Sequence, residues 1–327
     1  MSITTPGLLA VRSAVAPWLE KCEAHSKVLV GCSGGADSMA LTIALKYECA
    51  SREITLIPVV VDHGLQENSA AIAANVIAEL KRLGFSEIYS ERAQVEMVDG
   101  LEASARRARY QIFHKALENY GAKYFFLGHT QNDQAESVLL GIARGSGTKS
   151  LSGMPDVNLP FIRPMISLSR EITVAACSES GISIWEDPHN LDQRFARVRV
   201  RENILPIMER EIGPGISQAL ARSAKILRQD AQALDQWASE VFSAMEPCDL
   251  EIEALAALPV AVRARVLRLA IYAAGAPSGS IKADHLAPIE ALVTDWKGQG
   301  PTSLPGGVKV ARISGRLSLL NQPITYL

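Results

Sequence analysis

The chain has 327 residues, of which 48% are hydrophobic, so it is long enough for two domains with separate cores. Its 33 basic and 35 acidic residues leave a formal net charge of −2, which is typical of an ordinary globular protein. No apolar run approaches the roughly 18–20 residues of a membrane span, and we expect no secretory signal. Five scattered cysteines without a C-x-x-C pair argue against a disulfide framework and favour a cytoplasmic location.

The N-terminal part of the chain alternates short apolar runs with helical patterns. The apolar runs predict strands at Val28–Gly31, Leu56–Val61, Glu87–Glu91 and Tyr124–Gly128. The helical patterns between them lie at Ser38–Tyr47, Asn68–Leu83 and Leu101–Tyr120. Strands that alternate with helices form right-handed βαβ units. We therefore predict an α/β fold, with a parallel sheet covered by helices on both faces and a ligand at the carboxyl ends of its strands.

The first predicted strand runs directly into Ser-Gly-Gly-Ala-Asp-Ser, residues 33–38, and a helical pattern follows at once. Glycines let the backbone approach a phosphate closely, and the free N–H groups of the first helical turn attract the anion. Ser33 and Ser38 add hydroxyl donors, whereas Asp37 beside a phosphate is best explained by a bridging Mg²⁺. The motif lacks the lysine of the kinase loop and the spacing of the dinucleotide loop. It predicts a nucleotide phosphate site, with a plain strand-to-helix turn as the alternative.

Two weaker motifs come next. Asp62-His63-Gly64 ends the second strand, where it would border an adenine or ribose, or form only a capping residue and a turn. Arg106 and Arg109 are three residues apart on a predicted helix and share one face. Two guanidinium groups on one face suit a phosphate or carboxylate, although a solvated basic stripe is the alternative.

Polar residues also follow the fourth strand, from Gly128 to Glu136. We predict that a helix begins near Asp133, which places Asp133 and Glu136 on the same side of its first turn. One interpretation is an acidic first turn spaced like a capping box. The other is a paired acidic site for a cation, either Mg²⁺ or an ammonium group, and the two interpretations are compatible.

Basic residues cluster after the sheet. The glycine- and serine-rich segment Ala143–Pro155 carries Arg144 and Lys149, and we predict a mobile lid or a loop that contacts nucleic acid. A second cluster lies within eight residues and consists of Arg194, Arg197, Arg199 and Arg201. This cluster is typical of a nucleic-acid surface or, alternatively, of a solvated face with ion pairs to Glu186, Asp187 and Glu202.

A helix-breaking Gly213-Pro214-Gly215 predicts a domain boundary, with a catalytic domain at 1–212 and a smaller, mainly helical domain at 213–327. A long amphipathic helix is predicted from Ile216 to about Glu246. Two strands are predicted near the end, at Gly307–Arg312 and Arg316–Asn321. The second domain carries no chemical signature, so by elimination it should bind or position a substrate.

The ordered string of motifs between about Lys27 and Pro206 resembles the tRNA(Ile)-lysidine synthetases, a family of PP-loop ATP pyrophosphatases. The string reads SGGADS, VDHG, ExxxRxxRY, GHxxxDQxE, RGSG, LSGM, RP, WEDPHN and RxxxRxxILP. Thr130 stands where the family frequently has a second histidine, and Asn132 where it frequently has an aspartate. These departures put a pair of catalytic histidines and a metal site of adjacent aspartates in doubt.

The resemblance implies an ATP-dependent ligase. In this family the C2 oxygen of the wobble cytidine in an isoleucine tRNA with a CAU anticodon is adenylated. The ε-amine of free L-lysine then displaces AMP, which leaves lysidine and changes codon reading from AUG to AUA. The resemblance further implies ATP and Mg²⁺ as cofactors and a homodimer as the assembly. The alternatives are another PP-loop tRNA-modifying enzyme, such as a thiolase acting through base adenylation, and a non-catalytic ATP- or RNA-binding module.

The resemblance also implies roles for individual residues. The residues implied to bind ATP are Ser33, Gly34, Gly35, Ala36, Asp37, Ser38, Asp62 and His63, and Asp37 would also hold Mg²⁺. The implied catalytic residues are Asp37, Arg106, Arg109, His129, Asp133 and Glu136. Among them, the arginines would stabilise phosphate charge, His129 would position the cytosine, and the acidic pair would bind lysine or accept its proton. The residues expected to contact tRNA are Arg144, Lys149, Arg194, Arg197, Arg201, Arg222 and Arg228.

Overall fold

The computed structural model describes residues 5–62, 64, 69–96, 100–145, 147–185 and 192–321. The chain separates into two compact units, Met1–Arg228 and Gln229–Leu327. This division falls later than the break at Gly213, and the functional boundary between 212 and 213 stays a prediction. All five cysteines are free thiols. Within the described ranges, no helix is long and apolar enough to cross a membrane.

The first unit alternates strands and helices as predicted. Its first half contains α1 (Pro6–Leu19), β1 (Lys27–Gly31), α2 (Ala36–Ala50), β2 (Thr55–Asp62), α3 (Ser69–Arg82), β3 (Tyr89–Arg92), α4 (Leu101–Tyr120) and β4 (Tyr124–Phe126). Its second half contains α5 (Gln131–Ala143), α6 (Thr148–Leu151), β5 (Val157–Asn158), β6 (Phe161–Ile162), α7 (Arg170–Glu179), α8 (Ala196–Arg199), a π-helical turn (Val200–Ile204) and α9 (Leu205–Glu211). Helix α10 (Ile216–Ser243) follows, and the division between the units lies within it.

A six-stranded sheet organises this unit in the order β3-β2-β1-β4-β6-β5. All neighbouring strands are parallel except β5, which runs antiparallel to β6. Leu29 at the centre of β1 pairs with Ile57 on one side and with Phe125 on the other. The predicted parallel sheet is therefore confirmed, and its loops after β1, β2 and β4 leave from the same edge.

The two faces of the sheet pack into two cores. Val28 and Val30 belong to a core that includes Val11 of α1 and Leu41 of α2. Leu29, between them, belongs to the opposite core, which includes Phe113 of α4. This alternation follows from the two-residue period of a strand, and it confirms that helices cover both faces.

The second unit combines helices with a small sheet. It contains the end of α10, β7 (Asp249–Glu251), α11 (Ile252–Ala256), α12 (Val260–Ala273), α13 (Ala283–Thr294), β8 (Thr302–Ser303), β9 (Val308–Ile313) and β10 (Arg316–Asn321). The sheet is antiparallel, in the order β7-β10-β9-β8. The two strands predicted here are confirmed as β9 and β10, which meet at a turn where Ser314 and Gly315 both have positive φ.

Candidate active site

The loop between β1 and α2 is folded against the start of its helix. The hydroxyl of Ser38 accepts the N–H of Ser33 at 3.1 Å and lies 3.0 Å from the carbonyl oxygen of Gly35, to which it donates. Gly34 has a φ of 84°, and a Cβ at this position would lie 2.6 Å from a methyl group of Val76. Glycine is therefore required at residue 34 by both backbone conformation and space.

A cavity of about 220 Å³ lies beside this loop at the carboxyl ends of β1, β2 and β4. Its lining includes most of the predicted loop residues, namely Ser33, Gly35, Ala36, Asp37 and Ser38. It also includes Arg109, His129 and Asp133, which the sequence placed in the same site. The structure thus brings together groups from the first loop, α4 and the loop after β4.

Asp62 has a local role at the end of β2. One oxygen of its buried carboxylate accepts the N–H of Gly64 at 2.9 Å, and the other lies 3.7 Å from Nε of Arg92. This is the turn-forming arrangement that the sequence left open as an alternative. His63 lies outside the described residues. Contact of either side chain with ATP stays a prediction.

Asp37 is held by a partner that the sequence analysis missed. The hydroxyl of Thr173, which is fully buried on α7, donates to Oδ1 of Asp37 at 2.5 Å. Burial raises the pKa of the Asp37 carboxyl, this hydrogen bond lowers it, and the nearby charge of Asp133 raises it. No motif marks Thr173, since a threonine on the inner face of an amphipathic helix resembles any core position.

The residues around Asp37 fit a magnesium ion that is shared with phosphates. Asp37 and Asp133 line the same cavity, and a divalent cation would relieve both the burial of Asp37 and the repulsion between the two carboxylates. In the part of the chain that the structure describes, no group of three or more His, Cys, Asp or Glu side chains comes together. Phosphate oxygens and waters would complete the shell, as is usual for Mg²⁺.

Helix α5 begins at Gln131, two residues earlier than predicted, with Thr130 as its N-cap residue. One oxygen of Asp133 accepts the N–H of Thr130 at 2.8 Å and its hydroxyl at 3.1 Å. The capping box is therefore formed by Thr130 and Asp133. The prediction that Asp133 and Glu136 have the spacing of the capping box is corrected. Thr130 is 1% exposed, and its observed role is that of the N-cap residue of α5.

Glu136 is fully buried, and two arginines neutralise it. Nε of Arg201 lies 2.6 Å from one carboxylate oxygen, and Nε of Arg197 lies 3.7 Å from the other. Arg201 also lies 3.5 Å from Asp133. Burial raises the pKa of Glu136, whereas Arg201 and Arg197 lower it. Burial alone would lower the pKa of Arg201, but the two carboxylates raise it.

Two basic side chains contact Tyr110, which lines the smaller cavity on the α4 side. Arg106 and Arg163 each donate to the hydroxyl of Tyr110 at 3.3 Å, and Arg106 also lies over its ring. Burial, together with the nearby arginines, lowers the pKa of His129 to about 3, so its imidazole is neutral. Nδ1 of His129 is enclosed without a hydrogen-bond partner among the described residues. Arg163 and Tyr110 lie in the RP and ExxxRxxRY motifs of the sequence, but neither residue was assigned a role from the sequence.

The residues predicted to contact tRNA occupy different environments. Arg144, Lys149 and Arg222 are exposed. Arg194 is exposed and paired with Asp192 at 2.7 Å. Arg197 and Arg201 form ion pairs with Glu136 on α5. The sequence analysis had named other acidic residues as alternative partners of this cluster. Two of those partners, Glu186 and Asp187, lie outside the described residues. Contacts of these basic side chains with tRNA stay predictions.

A second, larger cavity of about 650 Å³ shares Arg170 and Arg201 with the first. Glu136 lines it together with residues from α7, α9 and the start of α10, including Glu171 and Glu209. Glu209 itself is engaged by the N–H groups of residues 215–217, which it caps. Arg201 thus borders both cavities, whereas its partner Glu136 lines only the larger one, a feature that no sequence motif indicated.

The chain matches two family models: residues 10–208 match a PP-loop domain, and residues 250–318 match a TilS substrate binding domain. It is 43% identical to a tRNA(Ile)-lysidine synthase of Thermobifida fusca, over 97% of this chain and 98% of the relative. The chain belongs to the tRNA(Ile)-lysidine synthase family. A tRNA(Ile)-lysidine synthase of Leifsonia xyli is 45% identical over 89% of each chain. The resemblance inferred from the string of motifs is confirmed.

The fold of this lysidine synthase family member also resembles a solved structure. The U34-tRNA thiolase NcsA from Methanococcus maripaludis superposes with a TM-score of 0.56 over 68% of this chain and 80% of that chain. The two sequences are only 15% identical, so the likeness establishes a shared PP-loop fold and nothing about the reaction. The predicted fold class is confirmed on this ground as well.

Proposed function

We propose that this protein ligates L-lysine to C2 of the wobble cytidine in an isoleucine tRNA with a CAU anticodon. The reaction consumes ATP, releases AMP and pyrophosphate, and converts an AUG-reading anticodon into an AUA-reading one. Family membership across 97% of the chain carries the proposal. The cavity at the PP-loop supports it, because it gathers phosphate-binding backbone, basic side chains and carboxylates.

The first step is adenylation of the cytidine. The loop of residues 33–38 and the N-terminus of α2 hold the β,γ-pyrophosphate, because free N–H groups and the helix dipole favour an anion there. Asp37 and Asp133 would hold Mg²⁺, which when bound would offset negative charge on the phosphates. Arg106 and Arg109 stabilise the charge that develops at the transferred phosphoryl group. His129, being neutral, acts as a hydrogen-bond partner that positions the cytosine.

The second step is attack by lysine. The side-chain ammonium binds at Asp133 and Glu136, where it shares the carboxylates with Arg201. The larger cavity beside Glu136 has room for the rest of the amino acid, and Arg170 is available there for its carboxylate. The ammonium must lose a proton before it can attack. Burial raises the pKa of Glu136, which favours this carboxylate as the acceptor.

The tRNA is bound by exposed basic side chains and by the second unit. Arg144, Lys149 and Arg222 supply phosphate contacts on the first unit. Residues 250–318 take the role of a tRNA-binding domain, as the family model for a substrate binding domain supports. A cytoplasmic location and a homodimeric assembly belong to the same proposal.

Pyrophosphate release distinguishes the reactions. Purified protein is incubated with ATP, Mg²⁺ and the isoleucine tRNA, with and without lysine, and the tRNA nucleosides are analysed by mass spectrometry. The proposal expects pyrophosphate to depend on the tRNA and a lysine-sized mass increase on one cytidine. A sulfur-sized increase that needs a sulfur donor would identify a thiolase instead. Absence of pyrophosphate under all conditions would indicate a binding module.

A further inference from the structure

The loop Ser152–Pro155 is tied to the acidic helix α5 by a side-chain amide. Gln134, only 3% exposed, donates from Nε2 to the carbonyl of Met154 at 2.6 Å. Its Oε1 accepts the N–H of Met154 at 2.7 Å. The amide therefore pairs with the backbone as a neighbouring strand would. Gly153 has a φ of 60°, and a Cβ there would collide with the same amide oxygen, so this contact requires glycine.

The guanidinium of Arg228, on α10, holds the same loop. Its Nη2 donates to the carbonyl oxygens of Ser152 at 2.7 Å and Met154 at 2.6 Å. Arg163 adds a third contact, from Nη1 to the carbonyl of Pro155 at 3.0 Å. Hydrogen bonds from a charged donor are stronger than neutral ones. The half-buried Arg228 thus donates hydrogen bonds to the backbone of its own chain, whereas Arg222 on the same helix is exposed.

We propose that Arg228 is a positioning residue for lysine transfer and not a tRNA contact. Its guanidinium holds the loop Ser152–Pro155 in place, and the backbone of this loop in turn holds the side chain of Gln134. Gln134 directly follows Asp133 and precedes Glu136 by two positions, so holding its side chain restrains rotation of the first turns of α5 about the helix axis. The directions of both carboxylates then depend on Arg228. This role in lysine transfer rests on the proposed function.

Two arginines on one helix provide a matched test. In Arg228→Met the apolar stem stays and the donors are lost, and Arg222→Met makes the same change at an exposed site. The salt slope is the slope of the logarithm of the tRNA binding constant against the logarithm of the salt concentration. We expect Arg222→Met to reduce the magnitude of this slope by about one, and Arg228→Met to leave it unchanged. We expect Arg228→Met to raise the KM for lysine by about fivefold to fiftyfold, with the KM for ATP changed less than about twofold.

Cleavage by trypsin measures how firmly the loop is held, and this measurement does not depend on the activity of the protein. Arg144 and Lys149 are exposed cleavage sites just before the loop. Native-state cleavage there should be faster in Arg228→Met than in the wild type, and unchanged in Arg222→Met. Arg228→Lys keeps a charged donor and should recover part of the wild-type lysine KM and protection. It also provides a folded variant if the methionine variant unfolds in thermal denaturation.

The proposal is overturned if Arg228→Met lowers the salt slope of tRNA binding as Arg222→Met does, while cleavage and the lysine KM stay at wild-type values. It is also overturned if the lysine and ATP KM values rise equally, because that pattern indicates general loss of structure. Failure of the proposed function looks different: the wild type would then form no lysidine. Salt slopes and trypsin cleavage would still decide whether Arg228 binds tRNA or holds the loop.

Discussion

Nε of Arg201 lies 2.6 Å from Oε1 of Glu136, a side chain with no exposed surface. The same guanidinium lies 3.5 Å from Asp133, so one arginine serves both acidic residues of α5. The paired acidic site that the sequence suggested for a cation is therefore occupied by a cation of the chain itself. A lysine ammonium bound there, as proposed, would share this negative charge with Arg201.

Arg201→Met should destabilise the fold strongly. The change removes the closer of the two guanidinium groups and leaves Glu136 buried with only the more distant Arg197. Breaking a buried ion pair from one side costs about 3–5 kcal/mol. Urea unfolding measures this cost. The double variant with Glu136→Gln should recover much of the loss, since the fully buried carboxylate charge is then removed as well. A single-variant cost below about 1 kcal/mol would contradict the burial of this ion pair.

Thr173→Val should raise the Mg²⁺ concentration needed for half-maximal activity. The substitution keeps the shape of the side chain but removes the hydrogen bond that orients Asp37 at 2.5 Å. Hydrogen bonds to charged groups contribute about 1.5–3 kcal/mol, so we expect a shift of about tenfold or more. Thr173→Ser, which keeps the hydroxyl, is the control. Identical Mg²⁺ titrations for the valine and serine variants would count against orientation by Thr173.

His129 should make the fold less stable in acid. Burial and the nearby arginines together lower its pKa to about 3, against the opposing charge of Asp133. A histidine in the unfolded chain titrates near pH 6.5. As the pH falls from about 6.5 toward 3, the unfolded state takes up a proton that the folded state does not. Stability then decreases by at most about 1.4 kcal/mol per pH unit.

The substitution His129→Asn isolates this effect. Urea unfolding is compared for the variant and the wild type at about pH 7.5 and about pH 5.5, conditions that bracket the ordinary pKa of histidine. The wild type should lose more stability between the two than the variant does. Equal losses in both proteins would mean that His129 keeps an ordinary pKa in the folded state.

Gly128→Ala should impair ATP binding because the added methyl group would displace the backbone of the phosphate-binding loop. A Cβ at residue 128 would lie 3.0 Å from the carbonyl carbon and oxygen of Asp37 and 3.0 Å from the N–H nitrogen of Ser38. These backbone atoms belong to the first turn of α2, so the phosphate site itself must move. We expect a rise of about tenfold in the KM for ATP. Gly300→Ala, whose Cβ would meet nothing within 4 Å, is the control. Equal KM values in both variants would contradict the close packing.

Much of the fold was predictable because its signals are local. The strands β1, β2 and β4 are apolar runs followed directly by polar loops, and the period of two in β9 and β10 marks their hairpin. Strands β5 and β8 have two residues each and β7 has three, too few for any periodicity to show. The division between the units lies inside a continuous helix, and no composition change marks such a place.

The parts of the site that lie on one continuous motif were predictable from the sequence. Contacts between residues that are far apart along the chain were not. The loop of residues 33–38 and the cavity at the strand ends followed from strand, glycine and helix order. The partners of Asp37 and Glu136 come from α7 and the π-helical turn, which lie 136 and 65 residues away along the chain. Basic residues that looked alike in sequence, such as Arg222 and Arg228, differ only in what the fold places beside them.

The most direct test of the account is incorporation of radiolabelled L-lysine into purified isoleucine tRNA with a CAU anticodon. The reaction contains ATP and Mg²⁺, and methionine tRNA and the Asp37→Ala variant serve as controls. We expect label in the isoleucine tRNA alone, about one lysine per molecule by the one-to-one chemistry of ligation, and none with the variant. Consumption of ATP with this tRNA but without lysine incorporation would contradict the lysine-ligase assignment while leaving the PP-loop chemistry in place.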